Sequence, residues 1–378
     1  ALVRVDVLAL LHPRHLRLLR SRVAVPDAHP LQTRVSPHPP RGLPSYPMDA
    51  HEIEGEPTPA GGGNRPPWNA LPQDLRHQIE TLLGSPVAEA TSQPGGFSPG
   101  SADRVVTATG QRCFVKATSS HLNEDSAAIH RAEARALGVL PTNLPIARLL
   151  GAVESGTWIA LVLSDVEGRH PALPWTPAEL TTTLDTLHSL ASTPLPADAA
   201  DSLPQLPDAV HHLFQGWHRL TPDADLPLPP DLAEWCRARL PELRALAEES
   251  QHVLQGHHLV HQDVRADNLL ITEDGTVTII DWPWAAVGAG WFDALTLLIN
   301  VRLYDPTFDA DAILATHPVF AGVPNTAMDA VLAGMAGFFV EAATQPPPPG
   351  LPTLRSFQRD HGDVTLAWLR DRLATNPQ

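Results

Sequence analysis

From residue 69 onward two hydrophobic rhythms divide the chain. Leu71, Leu75, Ile79, Leu82 and Leu83 recur at helical spacing, and Gly84 ends the run. Three strand-like stretches follow at 87–90, 104–108 and 111–117, the last two joined through Thr109-Gly110 in hairpin fashion. A helix is expected over about 123–139. Two further strands, 147–154 and 157–163, meet at the Ser155-Gly156 turn. Past Gly168 the spacing becomes helical, at about 177–192, 207–219, 230–253, 290–302, 308–316, 325–343 and 353–374. A strand-and-loop module at 259–284 interrupts these helices, and no repeat at solenoid periods is present. The pattern predicts an α+β chain with two lobes. Residues 69–166 form a small antiparallel sheet with one helix inserted after the third strand, and residues 167–378 form a larger, mainly α lobe, hinged near 164–168.

The first 68 residues lack either rhythm. They mix Pro, His and Arg, place the first methionine at Met48, and run into Gly61-Gly62-Gly63 and Pro66-Pro67. We expect a disordered leader and linker, with the working protein beginning near Met48 and residues 1–47 outside it. The patch at 7–11 is too short for a secretory signal. Apolar runs such as 159–163, or 285–299 broken by Asp293, are too short to span a bilayer, so no membrane segment is expected.

Composition narrows the function classes. Cys113 and Cys236 stand far apart without metal-ligand spacing, which fits a reducing, cytoplasmic setting. The net charge of −16 argues against nucleic acid as a partner. Residues 1–47 carry +5, from seven arginines against Asp6 and Asp27, which leaves −21 for the rest. An acidic body attracts cations, a cationic substrate among them, or simply keeps the protein soluble. Among the 26 basic residues, Lys116 is the one lysine. In an arginine-rich chain such a survivor suggests a need for a compact ammonium.

The chemistry concentrates in His261-Gln262-Asp263-Val264-Arg265-Ala266-Asp267-Asn268, an H-x-D-x-x-x-x-N pattern, followed by a strand-turn-strand unit ending in Ile280-Asp281-Trp282. Phosphoryl transfer needs alignment and charge neutralisation more than covalent help. A carboxylate such as Asp263 suits the attacking hydroxyl, and Asn268 and Asp281 are hard oxygen donors suited to Mg²⁺.

This run resembles the catalytic loop and metal-binding aspartate of the aminoglycoside phosphotransferase family, a branch of the protein-kinase-like fold that includes choline, homoserine and fructosamine kinases. The resemblance covers about residues 85–300. It implies a bilobal protein-kinase-like fold and transfer from ATP, or another nucleoside triphosphate, to a hydroxylated small molecule: an aminoglycoside-like antibiotic, an amino alcohol or a sugar derivative. Asp263 would be the catalytic base, His261 the brace of the catalytic loop, and Asn268 and Asp281 the holders of magnesium. Gln262 departs from the glycine that the family usually has. Kinase-like folds also place a lysine on the third strand, paired with a glutamate on the next helix. Lys116 falls there, with Glu133 as the preferred partner over Glu124, which sits at the helix start. The glycine-rich stretch holding Gly96 and Ser98 would approach the phosphates, and the backbone at Ser164 and Val166 would read the nucleotide base. Asp293 would brace the helix that follows.

Three weaker features are assigned bland roles. Adjacent pairs His211-His212 and His257-His258 diverge on a helix and are expected at the surface. Glu341, Asp360 and Asp363 are expected on solvated helix faces, with a cationic acceptor as the competing role. A nucleotide-binding regulator without turnover would be expected to lack the base or a metal ligand, and this sequence keeps both. A protein kinase is disfavoured by Asp281-Trp282 in place of Asp-Phe-Gly and by the lack of an Ala-Pro-Glu segment. Either a monomer or a dimer fits.

Overall fold

The computed structural model describes residues 66–93, 100–221, 223–347 and 353–375. Residues 1–65 and the loop carrying Gly96 and Ser98 lie outside these. After a short 3₁₀ turn at Trp68–Ala70, helix α1 (Gln73–Leu83) precedes β1 (Val87–Ser92), β2 (Ser101–Thr107) and β3 (Arg112–Ser119). Helix α2 (Glu124–Val139) is inserted before β4 (Leu149–Ser155) and β5 (Trp158–Ser164). The five strands form one antiparallel sheet in the order β1-β2-β3-β5-β4. Gly110 and Gly156 take positive φ at the two hairpin turns, where a side chain would be strained.

Strand periodicity decides what each face of this sheet carries. Cys113, Val115 and Ala117 of β3 and Ala160 and Val162 of β5 pack with Leu75 and Ile79 of α1 into one core. Ile159, Leu161 and Leu163 face the other way, into a second and larger core that continues through the helical lobe. Lys116 therefore lies on the same side as this second face, one residue out of phase with the first core. Trp68, placed at the end of the linker by sequence, is buried in the first core.

The helical lobe contains α3 (Pro177–Ser192), α4 (Ala197–Ser202), α5 (Leu206–Phe214), α6 (Gly216–Arg219), α7 (Pro230–Ala238) and α8 (Leu240–Val253). Next come β6 (His258–Val260), a 3₁₀ turn at Ala266–Asn268, β7 (Leu269–Ile271), β8 (Val277–Ile279) and β9 (Ala286–Gly288). Helices α9 (Phe292–Tyr304), α10 (Ala310–Thr316), α11 (Asn325–Ala343) and α12 (Leu354–Thr375) complete the chain. Two helices expected to be continuous are each broken. Pro241 lacks an N–H and ends the ladder between α7 and α8, and the chain turns at Gln215 between α5 and α6. Two short elements, α4 and β9, were not anticipated.

Two chain segments tie the sheet to the strand module. Ile279 N–H donates to the Pro145 carbonyl at 2.8 Å, just before β4. Just after β5, Arg169 and Ile271 exchange both backbone bonds, at 3.0 and 2.8 Å. Thus β7 and β8 are held from both sides of the β4–β5 hairpin.

Among the described residues α11 is the one helix long and apolar enough to cross a membrane, a run that the sequence reading passed over; 78% of its apolar window is buried inside the fold. Trp217 of α6 donates its indole N–H to the Ala333 carbonyl of α11 at 2.7 Å. Gly216 meets Gly337 backbone to backbone, so a Cβ at residue 216 would collide with the Gly337 carbonyl. Gly216→Ala is expected to lower the unfolding free energy by about 1–3 kcal/mol through overpacking. A urea titration with an unshifted midpoint would show that this close approach does not exist in solution.

Candidate functional site

Lys116 and two carboxylates hold the sheet to the strand module. The Lys116 Nζ lies 2.5 Å from Glu133 Oε2 on α2 and 2.5 Å from Asp281 Oδ1 just past β8. Burial alone would push the lysine pKa down; the charges of Asp281 and Glu133 outweigh it and hold the pKa above its ordinary value. Glu124 sits in the first turn of α2 beside the Asn123 cap. Lys116, Glu133 and Asp281 thus meet in one cluster from three separate elements.

The segment 261–268 is built on backbone bonds to buried side chains. Asp293, in the first turn of α9, accepts from the His261 N–H at 2.7 Å and the Gln262 N–H at 2.8 Å. Burial pushes its carboxyl up to about 7, against those two amide donors. Gln262 has φ 71, a left-handed conformation that explains why glycine would be the easy choice there. Here the glutamine is held by its side-chain amide, which donates to the Trp284 carbonyl, and by Asp293. Asp281 also takes positive φ, at 64, which an aspartate tolerates better than most residues.

His261 is fully enclosed and packs edge-on against Trp282, with ring centroids 4.6 Å apart. Its Nε2–H donates to the Ile280 carbonyl at 2.9 Å, which leaves Nδ1 to accept from the Asp263 N–H at 3.2 Å. One tautomer therefore links the loop to the segment carrying Asp281. Both imidazole nitrogens are engaged within the fold, which is a positioning arrangement.

Asp263 is buried and lies against Arg265, with Nη1 2.5 Å from Oδ1. Its Oδ2 accepts from Asn268 Nδ2 at 3.1 Å, and its carbonyl accepts from the same nitrogen at 2.9 Å. With both amide hydrogens of Asn268 so engaged, its Oδ1 is the donor atom left for a metal. Asp281 supplies a second oxygen donor. Among the described residues no group of three or more His, Cys, Asp or Glu side chains converges as if to hold a metal. Two protein oxygens suit magnesium, which keeps waters and takes the rest of its shell from phosphates.

Sequence reasoning missed Arg265. It is buried and also grips Asp267 in a two-pronged pair, Nε to Oδ1 at 3.0 Å and Nη2 to Oδ2 at 2.9 Å. The signal available was a charged residue at an unassigned position inside the motif. Also unforeseen is a pocket beside Asp263, whose walls include Arg265, Phe214, Phe338, Phe339 and Phe357. None of Glu341, Asp360 and Asp363 lines it. Glu341 pairs instead with Arg219 at 3.0 Å, and exposed Asp360 pairs with Arg359 at 3.4 Å.

The hinge is tied into the sheet on both sides. The Ser164 N–H donates to the Arg148 carbonyl at 2.8 Å, and its hydroxyl accepts from the Arg148 N–H at 2.9 Å. The Val166 carbonyl accepts from Arg104 Nη2 at 2.8 Å. These groups are engaged within the fold and help to shape the hinge. Asp165 adds ion pairs to Arg104 at 3.1 Å and Arg112 at 3.0 Å.

Burial pushes the His261 imidazole down to about 4, against its bond to Ile280 and the charge of Asp281. An unfolded histidine titrates near 6.5, so acid protonates the unfolded chain first. The contribution of neutral His261 to stability is full above about pH 6.5 and is lost as pH falls toward about 4. Nitrogen-15 NMR of labelled histidine is expected to show the Nε2–H tautomer of His261 persisting at pH 5.5. An imidazolium signal there would contradict this bonding scheme.

The fold can be compared with solved structures. A spectinomycin phosphotransferase, APH(9)-Ia, in complex with ADP and spectinomycin, aligns with a TM-score of 0.51 at 13% identity over 80% of this chain and 98% of its own. A thermostable mutant of the aminoglycoside phosphotransferase APH(4)-Ia, in a ternary complex with ADP and hygromycin B, aligns with a TM-score of 0.51 at 15% identity over 81% of this chain and 100% of its own. No curated protein sequence matches. Residues 96–327 match the model of the phosphotransferase enzyme family, and the chain belongs to that family.

Proposed function

We propose that this small-molecule phosphotransferase moves the γ-phosphoryl group of ATP to a hydroxyl of its acceptor, with Asp263 as the base. The supporting observation is that one carboxylate faces two ways: Asp263 lines the pocket while bonded to Asn268. A hydroxyl in that pocket would lie beside the acid that receives its proton, on the side adjoining the proposed metal ligand. As the acceptor oxygen bonds to phosphorus, the bond from phosphorus to the bridging oxygen of ADP breaks and the hydroxyl proton passes to Asp263. Lys116 would neutralise the α- and β-phosphates, with Glu133 holding its ammonium in place. Asn268 Oδ1 and the Asp281 carboxylate would hold magnesium, which when bound neutralises phosphate charge. Arg265 and the Asn268 amide would fix the rotamer of Asp263.

ADP in both aligned relatives supports a nucleotide as the donor. Their ligands, spectinomycin and hygromycin B, and the family resemblance put forward antibiotics, amino alcohols and sugar derivatives as acceptor classes.

Asp263→Ala is expected to lower kcat by about 10²–10⁴-fold, the range for loss of a positioned acid–base group. Equal ATP consumption by variant and parent across a panel of hydroxylated compounds would remove Asp263 from the role of base. Asn268→Ala should act differently, raising the KM for Mg·ATP and the magnesium concentration needed for half-maximal rate. An unchanged magnesium requirement would remove Asn268 from the metal site.

A further inference from the structure

The pocket beside Asp263 has a chemistry of its own. Its described walls are mostly phenylalanine and aliphatic side chains, and the charged residues among them are Asp263 and Arg265. Those two charges are paired with each other, and Arg265 is also paired with Asp267. A polycationic acceptor would lose its hydration there without finding a free carboxylate. An uncharged, apolar body would instead replace water against the aromatic walls.

Several polar atoms of the lining are engaged within the fold. The Thr296 hydroxyl donates to the Asp293 carbonyl at 3.1 Å. Asn300 Oδ1 accepts from the Trp175 indole and the Ala266 N–H, both at 3.3 Å. His361, on α12, carries an unpartnered atom that is also buried. Its ring lies 3.9 Å from that of Phe357 and 5.1 Å from that of Phe339, centroid to centroid. Its Nδ1 is 2.9 Å from the Phe357 carbonyl, which can only accept, so Nδ1 carries the proton and Nε2 a lone pair. That Nε2 is buried and has no hydrogen-bond partner among the described residues. An acceptor atom left so in a folded protein calls for a donor. Burial pushes the imidazole down to about 4, so the lone pair persists at neutral pH.

Resting on the phosphoryl-transfer reading above, we infer that the acceptor is an uncharged alcohol with a largely apolar, ring-containing body. It carries a second hydrogen-bond donor that His361 Nε2 receives while Asp263 engages the reacting hydroxyl. His361 is thus a specificity residue. It reads the acceptor and takes no part in nucleotide binding.

The test uses the full chain with Mg·ATP, or with Mg·AMP-PNP for binding. The panel holds neutral alicyclic and aromatic diols, their mono-alcohol analogues, a polycationic aminoglycoside and choline. Binding is read by calorimetry and transfer by mass spectrometry of the product. The diols are expected to exceed the amines in kcat/KM by at least about tenfold, and to exceed their mono-alcohol analogues by about tenfold, one hydrogen bond's worth. His361→Phe should erase the diol advantage through the acceptor KM, leave the KM for ATP unchanged, and be partly rescued by His361→Gln. The comparison of diol with mono-alcohol on the parent protein stands even if these variants fold poorly. Preference for the aminoglycoside or choline overturns the inference and leaves the phosphotransferase role intact. Failure of every neutral alcohol to bind also overturns it. Tight diol binding without transfer keeps the pocket's selectivity and sinks the base assignment instead.

Discussion

A buried ammonium between two carboxylates is the constraint that organises this molecule. Lys116, Glu133 and Asp281 come from β3, α2 and the end of β8, and none of the three charges could be buried alone without a heavy desolvation penalty. Each element must therefore arrive in register. The alternation of β3 sends Cys113, Val115 and Ala117 into the first core and leaves Lys116 on the opposite face. The helix inserted after β3 carries Glu133 to that face, and the backbone bonds at Pro145 and Arg169 fix β7 and β8 beneath it. With two carboxylates beside it, the ammonium keeps its proton despite burial.

The adjoining loop meets a different demand, because its backbone turns through positive φ at Gln262 and Asp281. Neither residue is glycine, so hydrogen bonds must over-determine the conformation. Asp293 takes two consecutive amides, Gln262 reaches the Trp284 carbonyl, and neutral His261 spans from the Asp263 amide to the Ile280 carbonyl. The result places Asp263 and Asn268 with almost no rotameric freedom. Such rigidity is what phosphoryl transfer asks of a site whose work is alignment.

What could be read from sequence follows from how local each signal is. Lys116 was legible because strand alternation and its isolation among arginines are properties of the linear chain. Asp263, Asn268 and Asp281 were legible because a strand-turn-strand unit sets their spacing. The glycine departure at Gln262 was visible, but its compensation through Asp293 spans 31 residues and needed coordinates. Arg265 escaped because its value lies in what it touches, two aspartates within its own loop, and not in any spacing. His361 and the phenylalanine walls come from helices whose periodicity declares a buried face without saying what it is buried against. The breaks at Gln215 and Pro241 are similar: the proline was a visible stop signal, whereas the turn at Gln215 depends on Gly216 fitting against Gly337.

Net charge illustrates the same limit from the other direction. A formal charge of −16 suggests attraction for cations, and at long range it would concentrate them near the surface. That field is screened over about 8–10 Å at physiological salt, and it acts on encounter more than on the bound state. Inside the pocket the outcome is set by desolvation, and there the described carboxylate is already paired with Arg265. Of the acidic residues that the sequence set near the acceptor, Glu341 is held by Arg219 and Asp360 is exposed beside Arg359, while Asp363 is partly buried outside the pocket lining, with one carboxylate oxygen lacking a hydrogen-bond partner among the described residues. An acidic exterior and an aromatic, internally neutralised pocket are thus compatible, because each is governed by a different range of the same electrostatics.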